Sequence, residues 1–303
     1  MAVQFAGLTL QSPVCTASGT YGYAAELEPL ARLDGLGAVV GKTLTPLPRA
    51  GNPGPRTWET AAGMLNSIGL ENPGPDAYVD EILPLLRGRP FRVIANVAGA
   101  TPAEYAALTA RLGAAPGVDA IELNLSCPNV AHGLDFSIDP AQTRAVVAAC
   151  RAETDRPLLA KLTPNVTDPR PVAVAALTAG ADGLTLVNTL LGMGVDWRRR
   201  ASRLARPYGG LSGPAIKPVA LRIVHQVWTE TRAPIMGVGG AATAEDVCEF
   251  LCAGATAVQI GTASFVDVTA PARAAAELPA LLAAAGVADV ATLIGSVDAV
   301  GGE

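Results

Sequence analysis

Short runs rich in Val, Ile, Leu and Ala recur along the chain, and nearly every one ends in a polar residue or a glycine pair. The runs cover residues 14–17, 38–41, 92–96, 120–123, 158–162, 183–187, 235–238 and 257–260. Apolar runs this short, bounded by turn formers, read as strands buried on both faces. Between them lie stretches with helical spacing, at 25–33, 75–86, 102–112, 140–151, 170–179, 215–229 and 244–253, and one more at 271–285 after the last run. Eight strands alternating with helices predict a parallel sheet, and eight is the number that closes a barrel. An open doubly wound sheet is the alternative, but it would carry a Gly-rich dinucleotide turn after its first strand, and none follows residue 17. The expected fold is α/β: one (β/α)8 TIM barrel spanning residues 1–303. A small N-terminal β-hairpin, residues 3–5 and 8–10 around Ala6-Gly7, closes one end. The Pro- and Gly-rich stretch 45–63 reads as a long loop after the second strand, of a length usually tied to function or mobility.

The polar residues at the ends of the runs are Ser18-Gly19, Lys42-Thr43, Asn96, Asn124 with Cys127, Lys161, Asn188-Thr189, Gly239-Gly240 and Gly261-Thr262. A barrel brings these positions together at one mouth, where such enzymes place their chemistry. One asparagine alone would be a turn residue; eight equivalent positions are harder to explain that way. Gly239-Gly240 and Gly261-Thr262 offer closely approachable backbone N–H groups, with a helix start expected after each, which suits a phosphate. Glycines for tight turns are the plainer reading of either pair alone. Lys42 and Lys161 close apolar strands, where a lysine is seldom unpaired. Pointing into the mouth they would neutralise an anionic substrate or a reduced cofactor; pointing outward they would simply reach solvent. Cys127, among Asn124, Ser126 and Asn129, has neighbours that do not suit a packing residue, and a thiol beside a cation can act as a base. His132 is near in sequence only, and His225 reads as a helix residue.

Composition sharpens this. Hydrophobic residues make up 50% and aromatics 4%, so the core must be built from small and aliphatic side chains. A net charge of −5 argues against attraction to nucleic acid or anionic lipid. The run Arg198-Arg199-Arg200, with Arg203 and Arg206, reads either as a solvated loop or as one that docks a partner or guides substrate. No run is long enough for a membrane span, and the N-terminus lacks the basic and apolar regions of a signal peptide, so a soluble cytoplasmic protein is expected. Five cysteines show no metal-ligand spacing; Cys248 and Cys252, four apart on a helix, read as packing residues.

Several long motifs in order resemble the class 1 dihydroorotate dehydrogenases, flavin barrels of pyrimidine synthesis. They are Met64 through Gly74 (MLNSIGLENPG), Glu122 through Asn129 (ELNLSCPN), Lys161 through Asp168 (KLTPNVTD), Asn188-Thr189-Leu190, Gly209 through Ala215 (GGLSGPA) and Gly237-Val238-Gly239-Gly240. The resemblance covers essentially the whole chain. It implies one FMN, contacting Ser18, Lys42, Thr43, Asn96, Asn124, Lys161, Val187, Gly213, Gly239, Gly240, Gly261 and Thr262. The substrate dihydroorotate would meet Lys42, Asn66, Ser67, Ile68, Gly69, Leu70, Asn124, Asn188 and Thr189. Cys127 would take the C5 proton while C6 passes a hydride to flavin. An anion rich in amide donors and acceptors suits paired asparagines and a lysine, and Lys161 would stabilise a reduced flavin that is anionic near N1.

Within the family, the membrane-bound class carries serine at Cys127 and an N-terminal extension. The fumarate-using class has Gly-Lys-Pro soon after the Pro-Asn, whereas this chain reads Val130-Ala131-His132-Gly133-Leu134-Asp135. The chain is most similar to the NAD-dependent class 1B catalytic subunit. That resemblance implies a homodimer within a heterotetramer, its electron-transfer subunit carrying FAD and a [2Fe–2S] cluster that the cysteines of this chain could not hold. Other readings are a dihydropyrimidine dehydrogenase-like flavin subunit, disfavoured because 130–140 contains no cysteine, and a non-catalytic FMN-binding subunit, disfavoured by Lys42, Cys127 and Lys161 together.

Overall fold

Each apolar run forms a short strand with both faces buried: β1 (Val14–Thr16), β2 (Ala38–Val40), β3 (Arg92–Val97), β4 (Ala120–Asn124), β5 (Leu158–Lys161), β6 (Gly183–Leu186), β7 (Ile235–Val238) and β8 (Ala257–Ile260). The structure, a computed structural model, describes residues 1–27, 29–126 and 136–298. All eight strands run parallel and close into a barrel in which each lies beside its sequence neighbours, β8 against β1. The expected (β/α)8 barrel is therefore the fold. Among the described residues, six longer helices surround it: α1 (Pro102–Gly113), α2 (Pro140–Arg151), α3 (Arg170–Thr178), α4 (Lys217–Thr231), α5 (Ala244–Cys252) and α6 (Ala270–Ala284). Their starts are written locally. Thr101 caps α1 by accepting from Glu104 N at 3.2 Å, and Asp139 caps α2 by accepting from Ala141 N at 2.8 Å, each followed by proline at the first helical position.

At the N-terminal ends of the strands, Val3–Phe5 pairs antiparallel with Leu8–Leu10. The turn uses Ala6 at φ 47° and Gly7 at φ 82°, two left-handed residues in succession, as a two-residue hairpin requires. Phe5 and Leu10 turn inward and are fully buried, while Gln4 and Thr9 face out. The hairpin sits on the strand starts: Arg92 Nε donates to Thr9 O at 3.3 Å, and a Cβ on Gly183 would come within 3.2 Å of Ala6 Cβ.

The opposite end has a roof. Leu190–Gly192, Gly209–Ser212, Gly63–Asn66 and Thr57–Thr60 form a four-stranded antiparallel sheet in that order. Part of the expected loop 45–63 is thus an edge strand. A smaller pair, Val195–Asp196 with Ala201–Ser202, carries the arginine run. Arg203 there bonds Asp196 at 2.9 Å and stacks 4.4 Å from the Trp58 ring, tying this hairpin to the roof. Of the helix expected at 25–33, the described residues form a single 3₁₀ turn, Ala25–Leu27, followed by turn bonds from Leu30 N and Ala31 N to Leu27 O. The expected helix at 75–86 forms over its full length, as three successive segments of α (Pro75–Ala77), π (Tyr78–Ile82) and 3₁₀ (Leu83–Leu86) character, with Pro84 removing an interior donor. Cys248 and Cys252 are half-buried, Cys248 against the core. Among the described residues, no helix is long and apolar enough to cross a membrane.

Candidate active site

Between the C-terminal ends of the strands and the roof lies a cleft of about 330 Å³. The barrel register gathers its residues: Asn124 of β4 lies opposite Lys161 of β5, which lies opposite Thr185 of β6. Lys161 is 5% exposed, and its Nζ donates to Ser18 Oγ at 3.0 Å and stands 3.6 Å from Glu122 Oε1. Lys42 lines the same cleft with its Nζ beside Gly19, where a Cβ would lie 3.8 Å away. Two cationic side chains and two strand-end hydroxyls, on Ser18 and Thr43, therefore share one concave surface.

The amides form a second wall. Asn188 Nδ2 donates to Asn124 Oδ1 at 3.0 Å and to Ser126 Oγ at 2.7 Å, while its own Oδ1 accepts from Thr189 N at 2.8 Å. Tyr105 Oη donates to Asn124 O at 2.6 Å, fixing the end of β4 from behind. On the roof, Asn66 Nδ2 donates to Gly210 O at 3.2 Å. The chain then turns through Gly69 at φ 80° and Leu70 at φ 56°. A Cβ on Gly69 would strike Asn52 at 2.7 Å, so this turn demands glycine. Asn72 clamps the turn, donating to Leu70 O at 2.8 Å and Thr45 Oγ1 at 2.7 Å.

Glycines form the third wall. Gly213 and Gly240 both have positive φ, and a Cβ on Gly240 would lie 2.8 Å from Gly213 O. Bare backbone from these two, with Gly239, Gly261 and Thr262, faces the cleft, and Thr262 Oγ1 donates to Ser212 Oγ at 2.8 Å. Such a side-chain-free cradle fits a phosphate group, and Lys161 at the floor fits the electron-rich end of a flavin. A helix does follow Gly239-Gly240, starting at Ala244 as expected, but its first turn is occupied by its own capping box of Thr243 and Asp246. Burial acts against the Asp246 charge, but bonds from Lys217 at 2.6 Å and from the N–H groups of Ala242 and Thr243 outweigh it and hold the carboxyl below its usual range. The glycine backbone, and not that helix end, is what the cleft presents.

The structure thus brings Ser18, Lys42, Thr43, Asn66, Ile68, Gly69, Leu70, Asn124, Lys161, Val187, Asn188, Thr189, Gly213, Gly239, Gly240, Gly261 and Thr262 to one cleft. Two others sit behind it. Ser67 is buried, accepting from Asn52 Nδ2 at 3.1 Å, and Asn96 is buried in the barrel, donating to Glu122 Oε1 at 2.6 Å. Cys127 lies outside the described residues. Sequence reading did not single out Arg56, Ser126, Ser212 or Phe265 among the lining. Nor did it mark Glu122 as more than part of a motif; its signal was a carboxylate inside the apolar run Ala120-Ile121-Glu122-Leu123, in phase with Asn124.

Comparison with known proteins bears on this geometry. The model of the family described as dihydroorotate dehydrogenase matches residues 1–282. Among relatives, the "Dihydroorotate dehydrogenase B (NAD(+)), catalytic subunit" of Desulforudis audaxviator is 51% identical over 302 residues, covering 99% of this chain and 98% of its own. The protein of the same name from Trichlorobacter lovleyi is 51% identical over 299 residues, with 98% of each chain covered. A crystal structure of DHODH from Eimeria tenella, in complex with ferulenol, superposes with a TM-score of 0.83 at 26% identity, covering 97% of this chain and 88% of that one.

Proposed function

The chain belongs to the dihydroorotate dehydrogenase family, which binds FMN, and from that premise we propose that its mouth oxidises (S)-dihydroorotate to orotate in pyrimidine biosynthesis. The observation that carries the reading is the meeting, in one cleft, of two lysines, the Asn124–Asn188 amide pair and a glycine cradle. Gly213, Gly239, Gly240, Gly261 and Thr262 would hold the phosphate. Lys161 and Ser18 would hold the pyrimidine end of the isoalloxazine, with Thr43 and Val187 lining its sides and Asn96 fixing the floor from beneath. FMN bound there supplies the acceptor for the hydride that leaves C6.

Every other step falls to the chain. Lys42 neutralises the substrate carboxylate, and Asn66, Asn124, Asn188 and Thr189 match the donors and acceptors of its ring. The turn through Ile68, Gly69 and Leu70 lines the substrate side of the cleft, and Ser67 supports it from behind. Cys127, which follows directly on Ser126, takes the proton from C5. The Asn188 bond to Ser126 Oγ at 2.7 Å anchors the residue next to it in sequence. A thiol acts as a base only as thiolate, so the rate of flavin reduction should rise with pH through the thiol's titration.

The relatives named as NAD(+)-type catalytic subunits support passage of electrons to NAD through a partner. We assign to that partner the FAD and [2Fe–2S] cluster, and to this chain a homodimer at the centre of a heterotetramer in the cytoplasm. Steady-state turnover with a dye acceptor tests the substrate: dihydroorotate should be oxidised and dihydrouracil should not. Turnover of dihydrouracil alone would sink the reading. A reddish-brown complex on co-purification, with FAD and iron, is the expected partner result, and a lone yellow homodimer from the native source would contradict it.

A further inference from the structure

Beneath the cleft lies a buried charge that the reaction as described leaves unused. The side chain of Glu122 is wholly buried, and it projects from β4 on the same side as Asn124, into the barrel. Donors converge on both of its oxygens. Asn96 Nδ2 donates to Oε1 at 2.6 Å; Thr185 Oγ1 and Gln259 Nε2 donate to Oε2 at 2.7 and 2.8 Å. Lys161 Nζ completes the set, 3.6 Å from Oε1. This is the arrangement that an ionised carboxylate accepts. The amides are committed to it, because Asn96 Oδ1 and Gln259 Oε1 find no partner of their own among the described residues. A barrel interior built for packing alone would fill such a layer with Val, Ile and Leu, and a buried ion pair is seldom a source of net stability.

The Lys161 ammonium is thereby held between two oxygens, Ser18 Oγ at 3.0 Å on the cleft side and Glu122 Oε1 beneath. We propose that Glu122 is a positioning residue that fixes the Lys161 ammonium at the cleft floor and offsets its charge, so that the pair, and not the lysine alone, sets the reduction potential of the bound flavin. The inference rests on the reading above that Lys161 stands at the pyrimidine end of the flavin. Reduction adds negative charge to that end. With Glu122 in place, the field there is that of a compensated cation; in a water-poor interior the compensation counts for more than it would at the surface. Removing the carboxylate charge leaves a bare ammonium, which favours the reduced cofactor and raises its potential.

Glu122→Gln is the test, since it keeps size and shape, and the unpartnered Asn96 Oδ1 and Gln259 Oε1 are available to accept from the new amide. Thr185→Val serves as the comparison, removing one bond to the carboxylate while leaving its charge. The midpoint potential of FMN is read by dye-equilibrated anaerobic titration. In Glu122→Gln the reduction equilibrium should shift at least about tenfold toward reduced flavin, about 30 mV for a two-electron couple, with Thr185→Val close to wild type. An unmoved potential in a flavin-loaded Glu122→Gln protein would overturn the inference, as would equal shifts in both variants. A wild-type chain that binds no FMN would instead overturn the underlying reading, and the inference with it. Should Glu122→Gln not fold, the Glu122→Gln/Lys161→Met double variant decides by thermal melting without cofactor: recovered folding supports charge compensation, and a double variant as unfolded as the single overturns it.

Discussion

The two ends of the barrel are built from the same eight strands and behave as opposites. At the bottom, an antiparallel hairpin presses Phe5 and Leu10 against the strand starts, and its polar residues, Gln4 and Thr9, point away. At the mouth, the strands end in lysines, asparagines and glycines, roofed by a sheet whose strands are short, glycine-rich and partly exposed. The bottom gives up polar groups to gain packing. The mouth gives up packing to keep amides, ammonium groups and bare backbone within reach of a ligand. The lesson is one of division: stability is concentrated where the strands begin and chemistry where they end, as in barrels generally.

That division is breakable by mutation. The largest expected effect is at the mouth: Cys127→Ala should slow flavin reduction by dihydroorotate about 10²- to 10⁴-fold, the usual contribution of a positioned base. FMN binding and the thermal midpoint should stay unchanged, as rapid mixing and melting would show. At the bottom, Phe5→Ala should cost about 3–5 kcal/mol in denaturant unfolding while leaving KM for dihydroorotate unaltered wherever the chain is folded. A comparable change in KM would mean that the two ends are not independent. Asn188→Ala leaves Asn124 and Ser126 without their donor, a loss of about 1–3 kcal/mol. It should lower kcat/KM about 5- to 150-fold and move the unfolding midpoint less than Phe5→Ala does.

Smaller effects sharpen the comparison. Asp246, behind the glycine cradle, has its carboxyl held below the ordinary value of ~3.9. Its contribution to stability is therefore complete at neutral pH and is lost as pH falls through the depressed value. Asp246→Asn should flatten the acid limb of the stability curve below about pH 4, measured by urea unfolding across pH. Least of all should happen at the buried thiols. Burial pushes Cys15 up to about 12 and Cys150 up to about 11. Alkylation of the native protein near pH 8, followed by peptide mapping, should leave both unmodified.

The same contrast explains what was legible in the sequence. All eight barrel strands could be read, because runs such as Leu158-Leu159-Ala160 are continuous apolar stretches and a polar residue or a glycine pair marks each end. The roof could not. Thr57–Thr60 is largely exposed, and Gly209–Ser212 has two glycines in four residues, so neither shows the alternation that announces a half-buried strand. The helical spacing at 25–33 yields a single 3₁₀ turn among the described residues. Most of the cleft followed from strand ends alone. Glu122 was missed because its partners, Thr185 and Gln259, come from β6 and β8 and meet only when the barrel closes. The capping of α5 by Asp246 was written in Thr243 and Asp246 as a capping pattern, yet only the structure shows that it occupies the helix end assigned to a phosphate.

Anaerobic rapid mixing of the FMN-loaded chain with dihydroorotate tests the central claim most directly. The account predicts that the flavin bleaches fully, one orotate appearing per FMN, with no partner subunit and no second cofactor present. A flavin that stays oxidised under excess dihydroorotate, in a chain that is folded and saturated with FMN, would contradict it.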